Sequence, residues 1–205
     1  MKDMSTKERI LYAALDLIAE KGYDGVGVDL IAEKAGLKGP SLYRHYKGKE
    51  DIFNSLIDLV MSHYEEGFGL NKKPGEFPES MDELIENAME KIKFTMHDDI
   101  VGKTRRILAM EQFRSKRMAE LTTRYHLENQ QGMYAGIFAG LMEKGILKRD
   151  DPELLALEFV APVSLLIHMY DRQPEREEEV LDKIRKHFEH FVKVYADDLN
   201  IGECE

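Results

Sequence analysis

Apolar positions along the chain recur at helical spacing, and no stretch sustains the alternation of a half-buried strand. Ile10, Leu11, Ala14, Leu15, Leu17 and Ile18 fall largely on one face of a first helix. Ser5 and Glu8 stand three apart at its start, the spacing of a capping box in which each side chain satisfies an orphan amide. Lys21-Gly22 closes it, a cation in the last turn followed by a residue free to turn left-handed. After the Asp24-Gly25 turn, short helices are expected over about 28–35 and 39–46, separated by Gly36. Gly48 breaks the second, and Lys49 opens a longer amphipathic helix with Ile52, Phe53, Leu56, Ile57, Val60 and Tyr64 on its apolar side. Further helices are expected over 80–97, 99–114, 116–144, 152–171 and 174–196. A Gly/Pro-rich loop over 67–80 and a break over 145–152 interrupt them, and the tail from Asn200 is expected to fray. The pattern is that of an all-α protein.

Length and charge sharpen this picture. At 205 residues the chain exceeds the usual domain of about 100–150 residues, so a small domain joined to a larger one is expected. Net charge is −10, which taken alone argues against a polyanionic partner. The charge is unevenly spread: residues 1–50 carry nine Lys/Arg against eight Asp/Glu, and the acidic excess lies in the remainder. Between Leu37 and Lys49 there are four cations and no acid. A small basic patch on an acidic body suits local phosphate contact while the body repels other polyanion.

Several classes are disfavoured. Charges recurring from Lys2 to Arg9 leave no apolar signal-peptide core, and a lone cysteine, Cys204, allows no intrachain disulfide framework, so a cytoplasmic protein is expected. The apolar run Leu154–Tyr170 is interrupted by Glu158, Pro162 and His168 and falls short of the ~20 residues of a membrane span. Neither a phosphate-binding glycine loop, a His-Glu-x-x-His pair nor a cysteine placed as nucleophile is present. His187, Glu189 and His190 read as a solvated charged face. No catalytic residue, cofactor or metal site is expected.

Two short helices joined by a turn that begins with Gly36 form a helix-turn-helix candidate, in which Ile31, Ala32, Ala35 and Leu37 supply a small apolar interior. Such a unit lays its second helix in a major groove. The run Asp29-Leu-Ile-Ala-Glu-Lys-Ala-Gly-Leu-Lys-Gly-Pro-Ser-Leu-Tyr-Arg-His-Tyr-Lys-Gly-Lys-Glu-Asp-Ile-Phe53, preceded by Glu20-Lys-Gly-Tyr-Asp24, resembles the DNA-binding signature of the TetR (tetracycline repressor) family. The resemblance spans about residues 7–57. It implies an N-terminal three-helix DNA-binding domain over 1–48 and a larger helical regulatory and dimerisation domain over 49–205. It further implies a regulator, most simply a repressor, that binds double-stranded, pseudo-palindromic operator DNA as a homodimer and is released by a small molecule.

The roles implied for single residues follow the same resemblance. Tyr43, Lys47 and Lys49 would contact phosphate, and His45 the backbone or a base edge. Lys38, Gly39, Pro40 and Arg44 lie where the family reads bases, with Ser41 on the same surface; an arginine there can pair bidentately with guanine. Leu42 and Tyr46 are expected to face the core. Gly27 and Lys38 replace the usual Ser or Thr caps, and Asp29 stands where a basic residue is common, so DNA contacts are expected from the third helix alone.

In the C-terminal part, Leu181, Ile184, Phe188, Phe191 and Tyr195 form a narrow 3-4-3-4 seam, and the helix before it, carrying Leu165, is apolar around its circumference. These resemble the paired helices of the family's dimer interface; closure of the monomer core is the other reading. Gly132, Gly136 and Gly140 recur at four-residue spacing, which suits close helix crossing or space for a ligand. Phe94, Met110, Phe113, Tyr134, Phe138 and Phe159 are the candidate lining of a pocket for an apolar or amphipathic effector. A DNA-binding regulator without a small-molecule effector, and a helical enzyme or carrier with an incidental hairpin, are the competing readings.

Overall fold

In the computed structural model residues 4–68 and 78–197 are described, so most of the expected loop over 67–80 and the tail from Asn200 lie outside them. Among the described residues the chain forms ten α-helices: α1 (Thr6–Lys21), α2 (Val28–Lys34), α3 (Gly39–Leu42), α4 (Lys49–Phe68), α5 (Met81–His97), α6 (Asp99–Glu111), α7 (Lys116–Thr123), α8 (Asn129–Glu143), α9 (Pro152–Arg172) and α10 (Glu177–Tyr195). A π-helical turn, Arg124–Glu128, joins α7 to α8, so the single helix expected over 116–144 runs through with one widened turn. Its His126 carbonyl accepts from the Ser164 hydroxyl at 3.1 Å. The pairing found outside helices among the described residues is one antiparallel bridge, Leu147 with Ala196. The all-α expectation holds.

Helix ends follow local chemistry. Ser5 and Glu8 form the capping box, with the Ser5 N–H donating to Glu8 Oε2 at 2.7 Å and the Glu8 N–H to Ser5 Oγ at 3.2 Å. Asp98 caps α6 and Asp151 caps α9 through their carboxylates, which suits the dipole at each helix start.

Two compact units result. One gathers 4–68 and 97–121; the other gathers 78–96 and 122–197. In the first, α1 packs on α2, α4 and α6, burying Ile10, Ala14, Ile18, Ile31, Leu42, Ile52, Leu56 and Leu108. The compact body around the helix-turn-helix is therefore larger than 1–48, because α1 shares its apolar face between α4 and α6. Asp16 of α1 ties α2 and α6 to it by charge: Lys103 Nζ of α6 lies 2.6 Å and Lys34 Nζ of α2 3.1 Å from its carboxylate. Burial pushes the Asp16 carboxyl up, but hydrogen bonds and charge from Lys103 and Lys34 outweigh it and hold it below the usual range.

In the second unit α5, α8, α9 and α10 enclose one apolar core. Phe159 lies at its centre, with ring centroids of Phe188 at 4.3 Å, Tyr134 at 4.7 Å, Phe191 at 5.0 Å and Phe138 at 5.4 Å. Helix α9 spans 21 residues, so its length does not by itself separate it from a membrane span. Six of its side chains, Leu155, Ala156, Phe159, Val160, Val163 and Ile167, enter the core. Three residues before Pro162, which lies inside α9, the Phe159 carbonyl stands 3.1 Å from His187 Nε2, within reach of the N–H tautomer.

Both readings of the glycine stripe need correction. A Cβ built on Gly132, Gly136 or Gly140 meets nothing within 4 Å, and Gly132 and Gly136 are exposed. Among the described residues no neighbouring helix approaches them closely. Gly136→Ala is accordingly expected to stabilise the protein by about 0.8–1 kcal/mol through helix propensity. A raised urea midpoint with unchanged slope would bear this out; a lowered midpoint would show that the glycine surface meets something that alanine obstructs.

Candidate nucleic-acid interface

The helix-turn-helix is built from few contacts, each traceable to sequence. At the end of α2 the chain reverses through Gly36, whose φ of +70° is costly for any residue with a Cβ. The Leu37 N–H donates to the Ala32 carbonyl at 2.8 Å and the Gly36 N–H to Glu33 at 2.9 Å. The Arg9 guanidinium reaches from α1 to donate to the Ala35 carbonyl, which pins the turn to the first helix. Neither Gly27 nor Lys38 supplies a side-chain cap to α2 or α3. Pro40 sits in the first turn of α3, where its missing N–H costs nothing.

Helix α3 is shorter than expected, ending at Leu42 instead of near Tyr46. The following residues turn more tightly: the Arg44 N–H bonds back to Ser41 and the His45 N–H to Leu42, both three residues earlier. This turn still divides the segment into two faces. Leu42 and Tyr46 are buried, at 0% and 6% exposure, as expected. Lys38, Pro40, Tyr43, Arg44 and Lys47 are exposed, and Gly39, Ser41, His45 and Lys49 are half-buried. Structure thus gathers all nine candidate DNA-contacting residues on one short segment, with no acid among them. Asp29 borders it, exposed, with its Oδ1 3.4 Å from where a Gly39 Cβ would stand.

One partnership was not read from the sequence. Lys49 Nζ stands 4.1 Å from the centroid of the Tyr23 ring, and the Arg114 guanidinium carbon stands 4.1 Å from the same centroid. Tyr23 meets Phe53 edge-on at 4.8 Å. Its backbone N–H donates to Glu111 Oε1 at 2.9 Å, and Arg114 bonds Asp24 Oδ1 at 2.9 Å and Glu111 Oε2 at 3.3 Å. Burial raises the Tyr23 phenol above its ordinary value, and the nearby Arg114 charge only partly offsets this, so the ring stays neutral.

A family model described as bacterial regulatory proteins, tetR family, matches residues 10–56, which contain the whole helix-turn-helix. Residues 10–56 form a DNA-binding segment of the tetR family. The chain is a DNA-binding transcriptional regulator. Among curated proteins, it is 26% identical to the biofilm operon icaADBC HTH-type negative transcriptional regulator IcaR of Staphylococcus epidermidis, over 46% of this chain and 67% of that protein. It is 29% identical to the fatty acid metabolism regulator protein of Bacillus subtilis, over 67% of this chain and 66% of that protein. The matched stretch thus spans about two thirds of each. SmeT, the repressor of the Stenotrophomonas maltophilia multidrug efflux pump SmeDEF, has the same fold with a TM-score of 0.70 at 19% identity, over 95% of this chain and 92% of that one. Its complex with triclosan gives 0.71 at 18% identity, over 98% and 97%.

The other candidate residues fall less neatly. Ile184, Phe188 and Phe191 are 0–3% exposed and belong to the core of their own chain, and Leu181 and Tyr195 pack against it. Ile184, Phe188 and Phe191 thus close the core of their own chain, whereas Leu181 and Tyr195 stay partly exposed. Leu165 is different, at 71% exposure. The pocket set also divides: Tyr134, Phe138 and Phe159 are core, and Phe94 is half-buried on α5. Met110 and Phe113 are in the first unit and exposed, at 46% and 92%.

Proposed function

We propose that the chain is a cytoplasmic homodimeric repressor that binds a pseudo-palindromic operator through residues 38–49 and leaves it when a small apolar or amphipathic molecule binds the C-terminal part, 49–205. The observation that carries the reading is the acid-free, outward-facing Lys38–Lys49 segment on a helix-turn-helix whose Leu42 and Tyr46 are buried. IcaR is named as a negative regulator and SmeT as a repressor, which supports repression. The existence of a SmeT–triclosan complex supports an apolar effector.

Dimerisation is supported by α9. Leu154, Leu157 and Leu165 stand three and eight residues apart on one helical face and are 49%, 37% and 71% exposed. Exposed leucines flanking the exposed Glu158 on one face leave apolar surface that a partner can cover. A two-fold dimer then places two reading segments on two half-sites, and the operator mirrors that symmetry.

The packed aromatic centre favours a second reading, a regulator without a small-molecule effector, because Phe138 and Phe159 are 0% exposed and stack on Phe191 and Phe188 respectively. Titrating operator DNA in the presence of triclosan-like and fatty-acyl compounds separates the two. Release by any of them supports the first; unchanged affinity across the panel supports the second.

Residue roles are tested on the same DNA. Arg44→Ala is expected to relax base preference at particular positions, by about 1–3 kcal/mol for a lost bidentate pair. Tyr43→Phe is expected to weaken all operator variants alike, since a phosphate contact carries no sequence information. A uniform loss from Arg44→Ala, with the base profile unchanged, would move Arg44 to the phosphate group.

A further inference from the structure

Lys49 opens α4, half-buried, and its ammonium rests on the Tyr23 ring. A free lysine side chain samples many rotamers, and a phosphate contact must select one of them, at an entropic cost to binding. Held over an aromatic face, the ammonium is already confined, and its three N–H donors are not used up, because the ring attracts the charge as a whole. The ring itself is fixed on several sides. Phe53 meets it edge-on, Glu111 accepts from the Tyr23 backbone N–H, and Arg114 covers the same ring at 4.1 Å while bonding Asp24 and Glu111. Glu111 is 7% exposed, so this anchor is part of the packed unit.

We propose that Tyr23 is a positioning residue for operator binding, its ring holding Lys49 ready for a DNA phosphate, with the end of α6 fixing the ring. This rests on the operator-binding reading above and adds to it a residue outside the helix-turn-helix. It also gives the end of α6 a route to the DNA contact: a shift of Glu111 and Arg114 moves the ring on which Lys49 depends.

The test measures operator affinity of the full-length protein against salt. Each phosphate contact contributes a slope of about −0.9 to log K against log salt. The proposed dimer carries two copies of Lys49, so Lys49→Ala is expected to make the slope less negative by about 1.8, and Tyr23→Leu to do nearly the same. The double variant is expected to show no further change, and Tyr23→Phe, which keeps an aromatic face, to retain the native slope. Pentafluorophenylalanine at position 23 keeps the ring shape while removing its attraction for cations, and it covers the case in which Tyr23→Leu fails to fold. The native slope with the fluorinated ring, or additive losses from Tyr23→Leu and Lys49→Ala, would overturn the proposal. A native protein whose DNA binding ignores salt would instead overturn the operator-binding reading itself.

Discussion

Leu165→Arg is expected to leave the fold intact and to abolish tight operator binding. Leu165 is 71% exposed within its own chain, so the substitution removes little packing, and surface changes of this kind cost about 0.5 kcal/mol or less. In the proposed dimer the same position faces its partner, and an arginine on the stripe with Leu154 and Leu157 brings a charge into the apolar contact of each subunit. A monomer keeps its reading segment but loses the second half-site. Losing bivalent engagement lowers affinity by about 10²–10⁴-fold without touching any DNA contact. Sedimentation and operator titration of the same sample check both halves of the expectation. A variant that remains dimeric with native affinity would place the dimer surface elsewhere.

Phe159→Ala is expected to destabilise the protein by about 3–5 kcal/mol, the cost of a large cavity in a core that cannot collapse. Phe159 is 0% exposed and touches four other aromatic rings at centroid distances of 4.3–5.4 Å. Those neighbours come from both α8 and α10, so no single helix can move in to fill the gap. Against a total stability of about 5–15 kcal/mol, this leaves a marginal second unit. Urea unfolding followed by near-ultraviolet circular dichroism checks it. A loss below about 1 kcal/mol, far under the usual cost, would mean that the ring borders existing space, and would return Phe159 to the effector-pocket reading.

What could be read from the sequence was mostly local. The capping box at Ser5 and Glu8, the helix end at Gly22 with its φ of +72°, the turn opened by Gly36, and the inward pair Leu42 and Tyr46 each depend on residues a few positions apart, so spacing sufficed. Helix α3 was overestimated because Tyr43–Tyr46 has helical spacing, whereas the chain there closes three-residue hydrogen bonds. The α10 seam was harder. A 3-4-3-4 row says that one helix meets another, but not whether that helix belongs to the same chain, and here Ile184, Phe188 and Phe191 meet α9. The glycine row of α8 failed for a similar reason: a missing Cβ invites a neighbour, but only the fold shows that none is within 4 Å. Lys49 and Tyr23 are separated by a helix-turn-helix, and Arg114 is farther still, so their shared ring contact carries no signature in the order of residues.

Selection of bound DNA from a random-sequence pool tests the central claim most directly. The account predicts a two-fold symmetric consensus whose half-sites lie about one helical turn, roughly 10 bp, or a multiple apart. It further predicts that the same selection with Arg44→Ala blurs matching positions in both half-sites, while Tyr43→Phe yields the native consensus at lower recovery. A pool that stays unenriched with the native protein, or a consensus that is asymmetric and indifferent to Arg44, would contradict it.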